Sequence, residues 1–416
     1  MRKPIAIFLL FLLLSGCANF PGFVSTPLSS SADATATTTA VSPTPTSQTT
    51  PVGPRILRIW LPPKFDPSLD NPASLLLGNR LDEFTSSHPE LQIEVRIKSE
   101  DNIAETLTTT NSAAPSLMPD LIALSRANLE MAVARGKLHP LEGLTTQIDD
   151  PDWYPYAIQM AHIQNSEFGL PFAGDALILA GHELPLPERW GDVEDQSFIF
   201  TAADPQALFT LSFYLSAGGT LTDEGGHLSI DQAILENILT FYSQASEGQI
   251  LPQSVSEYQT DEQTWAAFLD RRADMVVTWT SFFLSDSTTE THSALLPDLE
   301  TASVPLATGY TWALAGSDPD NQALAIELAE YLSESQFLAE WTQAAGMLPT
   351  RPTALSSWED SENRQVMVLV SESAQIIPSQ EILTIISPLL EEAVLAVLSG
   401  GISPAEAAGA AAEQLE

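Results

Sequence analysis

The chain has 416 residues, of which 44 % are apolar and 17 % charged, the balance of a globular protein and not of a disordered acidic tail. Its 54 acidic residues against 16 basic ones give a net charge of −38, which repels phosphate backbones and argues against any nucleic-acid partner. Cysteine occurs once, so no disulfide can form within the chain.

Arg2 and Lys3 precede an apolar run from Ile5 to Leu14. The run has the length of a signal-peptide core and falls short of the roughly 20 apolar residues that span a bilayer. It ends in Leu14-Ser15-Gly16-Cys17, a cleavage box similar to that of bacterial lipoproteins. That resemblance implies removal of residues 1–16, lipid attachment at the Cys17 thiol, and a mature protein anchored on the outer face of the cell membrane. Loss of Arg2 and Lys3 leaves 14 basic residues against 54 acidic ones, a net charge of −40. Residues 17–54 follow as a tether of Ser, Thr, Ala and Pro, as in Pro43-Thr44-Pro45-Thr46, with too few large apolar groups to offset the entropy of ordering.

At Arg55 the pattern changes. Ile56 to Leu61 reads as a strand ending near Trp60, and Leu75 to Thr85 carries apolar residues at helical spacing until His88-Pro89 stops it. Leu91 to Ile97 alternates with period two, Ile103 to Thr109 is helical, and Asp120 to Leu124 is a short apolar strand. The helix Ala127 to Arg135 then ends at Gly136, where a left-handed cap fits. Strand and helix in alternation imply a parallel sheet with crossover helices.

The later half is richer in helices. Asp204-Pro205 predicts a capped helix start, Thr260 with Gln263 a capping box before Trp265 to Leu269, and Ser403-Pro404 with Glu406 a start for the last, alanine-rich helix. Strands are expected at Asp274 to Trp279 and Thr311 to Ala315. About 360 residues beyond the tether suffice for two domains.

The set of motifs in chain order carries a family resemblance. Trp60 closes the first strand, and Leu81-Asp82-Glu83-Phe84 with His88-Pro89 leads into the second. Pro119-Asp120-Leu121, Gly136-Lys137-Leu138 with Pro140-Leu141, and Phe168-Gly169-Leu170-Pro171-Phe172 come next. Tyr214 with Gly218-Gly219, Trp265 to Phe268 with Arg272-Ala273-Asp274-Met275 and Trp279, and Gly346-Met347-Leu348-Pro349-Thr350-Arg351 complete it. From about Arg55 to the C-terminus the chain resembles the extracellular solute-binding proteins of ABC importers, in particular the carbohydrate-binding group that includes maltose-binding proteins.

The resemblance implies an α/β, two-lobed periplasmic-binding-protein-like fold of type II, each lobe a sheet flanked by helices, with hinge strands between. The first lobe would take 55–169 plus 303–347 and the second 170–302 plus 348–416, with crossings near Pro171 and Pro305. It implies a monomer that captures a sugar or oligosaccharide between closing lobes and delivers it to ABC permease subunits, without cofactor, metal or catalysis. A surface sensor or scaffold of the same fold, and an extracellular glycoside hydrolase, are the alternatives.

A sugar cleft needs aromatic platforms for pyranose faces and planar polar groups for the hydroxyl rim. Trp279 ends an apolar strand where the family stacks an aromatic on its ligand; a buried core tryptophan is the other reading. Trp60 also ends a strand, at the carboxyl edge where open α/β sheets bind ligands. Tyr310 and Trp312 share one side of a strand, with Tyr310 favoured to face the cleft. Asp175 is a hydroxyl acceptor or a turn aspartate, Arg126 a candidate on the same edge argument, and Arg351 a hydroxyl-binding fork or an interlobe salt bridge. Trp341 fits helix packing better than the cleft. His88, His139, His162, His182, His227 and His292 form no ligand pair, and no Gly-x-Ser-x-Gly elbow, phosphate loop or dinucleotide glycine run occurs.

Overall fold

The computed structural model describes residues 54–193, 195–286, 290–299 and 301–415. The leader 1–16, Cys17 and the tether up to residue 53 lie outside the described residues.

Strands β1 (Arg55–Leu61), β2 (Leu91–Ile97) and β3 (Leu121–Ser125) alternate with helices Pro72–Ser87, Ile103–Ala113 and Arg126–Ala134. The three strands are parallel in the order β2-β1-β3, as the alternation of strand and helix implies. Period-two alternation buries both faces. Leu57, Ile59 and Leu61 enter the main core with Leu121 and Ala123, while Trp60, Ile122 and Leu124 enter a second core closed by Ile103, Leu107 and Leu129 of the covering helices. Asn71 caps the first helix by accepting the Ser74 N–H at 2.8 Å, with Pro72 at its first turn. Gly136 adopts φ +62°, the left-handed cap that ends the third.

The remaining strands are β4 (His162–Ile163), β5 (Ser166–Glu167), β6 (Leu170–Gly181), β7 (Phe198–Ile199), β8 (Met275–Trp279), β9 (His292–Ala294), β10 (Leu306–Leu314) and β11 (Gln375–Ile376). β4 and β5 form a small hairpin, and the others extend the sheet to the order β2-β1-β3-β10-β6-β8-β7, with β11 beside β10 and β9 beside β6. β10 runs antiparallel to both β3 and β6.

The twelve-residue β6 joins two half-sheets. Its residues up to Ala176 pair with β10, and from Leu177 to Gly181 they pair with β8, so the change of partner lies five residues beyond Pro171. Close backbone approach holds this junction. Gly174 exchanges hydrogen bonds with Leu348 at 2.7 and 2.8 Å, and a Cβ on Gly309 would stand 2.1 Å from the Ala173 carbonyl oxygen. A Cβ on Gly174 would stand 2.0 Å from the Tyr156 hydroxyl. Only glycine fits at these two crossings.

Two helix starts differ from expectation. Asp204 and Pro205 form a turn whose carboxylate accepts the N–H groups of Gln206 and Leu208; the helix runs Leu208–Ser216, after Ala207 in the left-handed region. Thr260 precedes the helix Asp261–Leu269 without a side-chain cap, and Gln263 reaches back to the Gln259 N–H at 2.7 Å. Ser403 and Glu406 form the full reciprocal box at the start of Pro404–Glu413.

Candidate functional site

The carboxyl ends of β1 and β2, the outer half of β10, the centre of β6 and the end of β8 bring side chains from both half-sheets together. After β1, Pro62-Pro63 turns the chain so that Lys64 reaches back over the Tyr310 ring, its Nζ 3.8 Å from the centroid and 5.0 Å from that of Phe65. After β2, Glu100 accepts the Tyr310 hydroxyl, at 2.9 and 3.2 Å to its two oxygens. Asp175 of β6 sits opposite. Its Oδ1 accepts the Thr280 hydroxyl at 2.7 Å and the N–H groups of Ser281 and Ala176 at 2.9 and 3.0 Å; its Oδ2 accepts the Ser281 hydroxyl at 2.5 Å. Oδ2 thereby keeps capacity for another donor.

Thr280 and Ser281 follow Trp279, the last residue of β8. Its indole N–H donates to Asp261 Oδ2 at 2.7 Å, and the other oxygen of Asp261 accepts the Thr201 hydroxyl at 2.6 Å. Burial raises the pKa of Asp261, and the charges of Asp204 and Glu262 add to the rise.

The electrostatics describe a recess. Lys64 is solvent-exposed by area, yet burial among neighbouring atoms pushes its pKa down, against the opposing pull of Asp175 and Glu100. Burial likewise pushes Asp175 up, while the Ser281 and Thr280 donors and the Lys64 charge hold it back. Burial pushes Tyr310 up, helped by Glu100, and pushes up Asp261 and Asp204. Lys64, Glu100, Asp175 and Tyr310 thus form one polar recess partly withdrawn from solvent.

An aromatic wall backs this recess. Phe65 meets Tyr310 edge-on at 4.9 Å and Trp341 at 5.2 Å, and Phe172 stacks on Trp312 at 4.4 Å. Tyr310 is half-buried at the recess, whereas Trp312 is buried behind it. Trp341 is buried in the same group, in keeping with a packing role.

Of the residues expected at the cleft, Asp175 and Tyr310 stand half-buried at the recess, whereas Trp279 is 8 % exposed, packed in the main core with its N–H held by Asp261, and reaches the site only through Thr280 and Ser281 that follow it. Trp60 is 1 % exposed, inside the second core, with Lys98 Nζ 4.7 Å from its ring centroid. Arg126 pairs with Glu130 at 2.8 Å and donates to the carbonyls of Gln159, Met160 and His162. Arg351, 4 % exposed, donates from all three nitrogens to Ser333 O, Asp150 and Gln147, and lies over the Trp153 ring at 3.7 Å. In this conformation these three, with Trp312, face protein and not the recess.

Sequence reasoning passed over Lys64, Glu100, Ser281 and Asp261. Lysine composition offered a signal for the first: beyond Lys3 the chain has only Lys64, Lys98 and Lys137, and Lys64 stands just past a strand's carboxyl end. Asp261 carries no local signal, because its role comes from a tryptophan in another element.

Among the described residues no group of three His, Cys, Asp or Glu side chains is placed to hold a metal, and no helix is long and apolar enough to cross a membrane. The family model for bacterial extracellular solute-binding proteins matches residues 75–336. Among curated proteins none matches the chain. Among solved structures, the chain is similar to a maltose-binding protein from Listeria monocytogenes in complex with maltose, at 14 % identity and TM-score 0.71, covering 87 % of this chain and 97 % of that one. The cyclic α-maltosyl-1,6-maltose binding protein from Arthrobacter globiformis gives 15 % identity and TM-score 0.71, with 87 % and 98 % covered. An ABC transporter solute-binding protein from Thermotoga lettingae bound with α-D-tagatose gives 19 % and 0.64, with 87 % and 98 % covered.

Proposed function

The chain belongs to the bacterial extracellular solute-binding proteins, and on that premise we propose that it captures a sugar or oligosaccharide in the recess around Asp175 and passes it to an ABC importer. Membership gives an extracytoplasmic binding role, not a catalytic one, in a two-lobed α/β fold. One observation carries the sugar reading: the half-buried Tyr310 ring stands beside polar groups drawn from both half-sheets and from the strand that joins them, with Trp279, 8 % exposed in this conformation, at the strand end that supplies Thr280 and Ser281. Stacking surfaces with carboxylate, hydroxyl and ammonium groups between them suit a pyranose.

The lobes are taken as 55–169 plus 303–347 and 170–302 plus 348–416, rotating about the junction in β6. Solute docks on one lobe, the other closes over it, and the closed form is what the permease recognises. Trp279 stacks on the ligand, while Lys64, Glu100, Asp175 and Ser281 meet its hydroxyls. Cys17 anchors the protein by lipid to the outer face of the membrane, a reading supported by Leu14-Ser15-Gly16 before it, and the protein acts as a monomer.

The test is the melting temperature of the purified chain against mono- and oligosaccharides, amino acids and polyamines. A ligand at 100 times its Kd adds about 2.7 kcal/mol to stability, and a sugar should be the one that does so, without turnover. Trp279→Ala should then weaken that sugar by about 1–3 kcal/mol in calorimetric titration. A flat sugar series, or stabilisation by amino acids alone, rejects the carbohydrate reading.

A further inference from the structure

We propose that a cavity of about 470 Å³ at the amino end of β1 and β3 is a second ligand site, for a small organic molecule bearing a phosphate or carboxylate group. The cavity lies away from the recess. Asp120, on its wall, immediately precedes β3, whereas Ser125 at the other end of β3 pairs with Tyr310; five strand residues separate the two by roughly 17 Å.

The ligand class follows from which bonds are already made. Asp120 is buried, with one oxygen accepting the Arg58 N–H at 2.8 Å and the other the Asn321 side chain at 3.1 Å. Asp318 caps the helix Pro319–Leu332 through the Asp320 N–H at 3.0 Å. Asp120 is thus engaged at both oxygens and the exposed Asp318 at one. The donors are less engaged: Lys137 and His139 make no side-chain hydrogen bond or ion pair among the described residues. Arg58 engages Glu94 through Nε at 3.1 Å, and its two terminal nitrogens have no such partner. What remains to be satisfied is the Lys137 ammonium and the Arg58 guanidinium with the His139 ring beside them, a set of donors that an oxyanion matches.

Composition gives a second reason. Of the three lysines beyond the leader, Lys64 lies over Tyr310 and Lys98 over Trp60, and only Lys137 stands at no aromatic ring; it lines this cavity. In a chain that otherwise almost dispenses with lysine, an unpaired ammonium lining a cavity of this size is out of keeping with solvation alone. The net charge of −38 does not forbid an anion there, since beyond about 8 Å salt screens the field and local donors decide. The volume exceeds what a bare phosphate or carboxylate fills, so the group comes on a larger molecule, free or as a lipid headgroup.

The experiment is calorimetric titration of the full chain in detergent with sn-glycerol 3-phosphate, citrate, and short-chain phosphatidylglycerol against phosphatidylcholine. Saturable binding of glycerol phosphate or citrate that falls at least tenfold in Lys137→Gln and is retained in Lys137→Arg supports the site with a soluble ligand. The same dependence seen only with phosphatidylglycerol supports it with a headgroup. No saturable binding by any probe, or equal binding in Lys137→Gln at an unchanged melting temperature, overturns the proposal. Sugar affinity should be the same in wild type and Lys137→Gln, which separates this site from the recess.

Discussion

Arg351 directs every guanidinium nitrogen at a protein acceptor and lies flat on Trp153, so it ties the loop of Gln147 and Asp150 to the end of the helix Pro319–Leu332 at Ser333. Removing it strands a buried carbonyl and two polar side chains. Arg351→Ala is expected to lower stability by about 3 kcal/mol or more, read from the urea midpoint, with sugar affinity little changed in the fraction that folds. At Asp261 the predicted effect is one of pH. Burial raises its folded-state pKa above the unfolded value, with Asp204 and Glu262 adding to the rise and the Thr201 and Trp279 donors opposing it. A carboxyl so shifted holds its proton more tightly when folded, so its contribution is fully present below the unfolded pKa and lost as pH rises through the folded one. Wild type should therefore gain melting temperature relative to Asp261→Asn as pH falls from 7 towards about 4. Parallel curves would show that Asp261 does not titrate this way.

At the scale of elements, the strand junction is the most demanding piece of backbone. Gly309 and Gly174 face each other where β10 and β6 pair, with the Ala173 carbonyl and the Tyr156 ring filling the space a side chain would need. Gly309→Ala should cost several kcal/mol, of the order of an overpacked core site or more, and show as a large fall in the denaturation midpoint. The ends of elements were legible where the signal is local. The Gly136 and Ser403 signals act within four residues of themselves, and Ser403 with Glu406 makes its box as expected. Asp204-Pro205 misled because the same capping chemistry closes a turn as readily as it opens a helix, and Asp204 here bonds the N–H groups of Gln206 and Leu208 in a turn. The length of β6 was not legible either, since its two halves pair with strands about a hundred residues or more further along the chain.

For the whole molecule, closure about β6 predicts that the sugar found by melting-temperature screening lowers the radius of gyration in X-ray scattering, and that Trp279→Ala at saturating sugar still closes while needing more of it. An unchanged radius at saturation would leave the recess as a rigid site. The sequence by itself determined the α/β class, the parallel run of the first three strands, the family and its extracytoplasmic binding role. Each of these rests on periodicity and on motifs in chain order, which survive in one dimension. Only the tertiary structure decided which polar and aromatic side chains are still free to meet a ligand. Trp60 and Arg351 stand at edges and crossings where a ligand contact was expected, yet a second core and acceptors about two hundred residues away already occupy them. Lys64, Glu100 and Asp261 gain their place from Tyr310, Asp175 and Trp279, and the partner of a side chain is a property of the folded neighbourhood that local sequence does not contain.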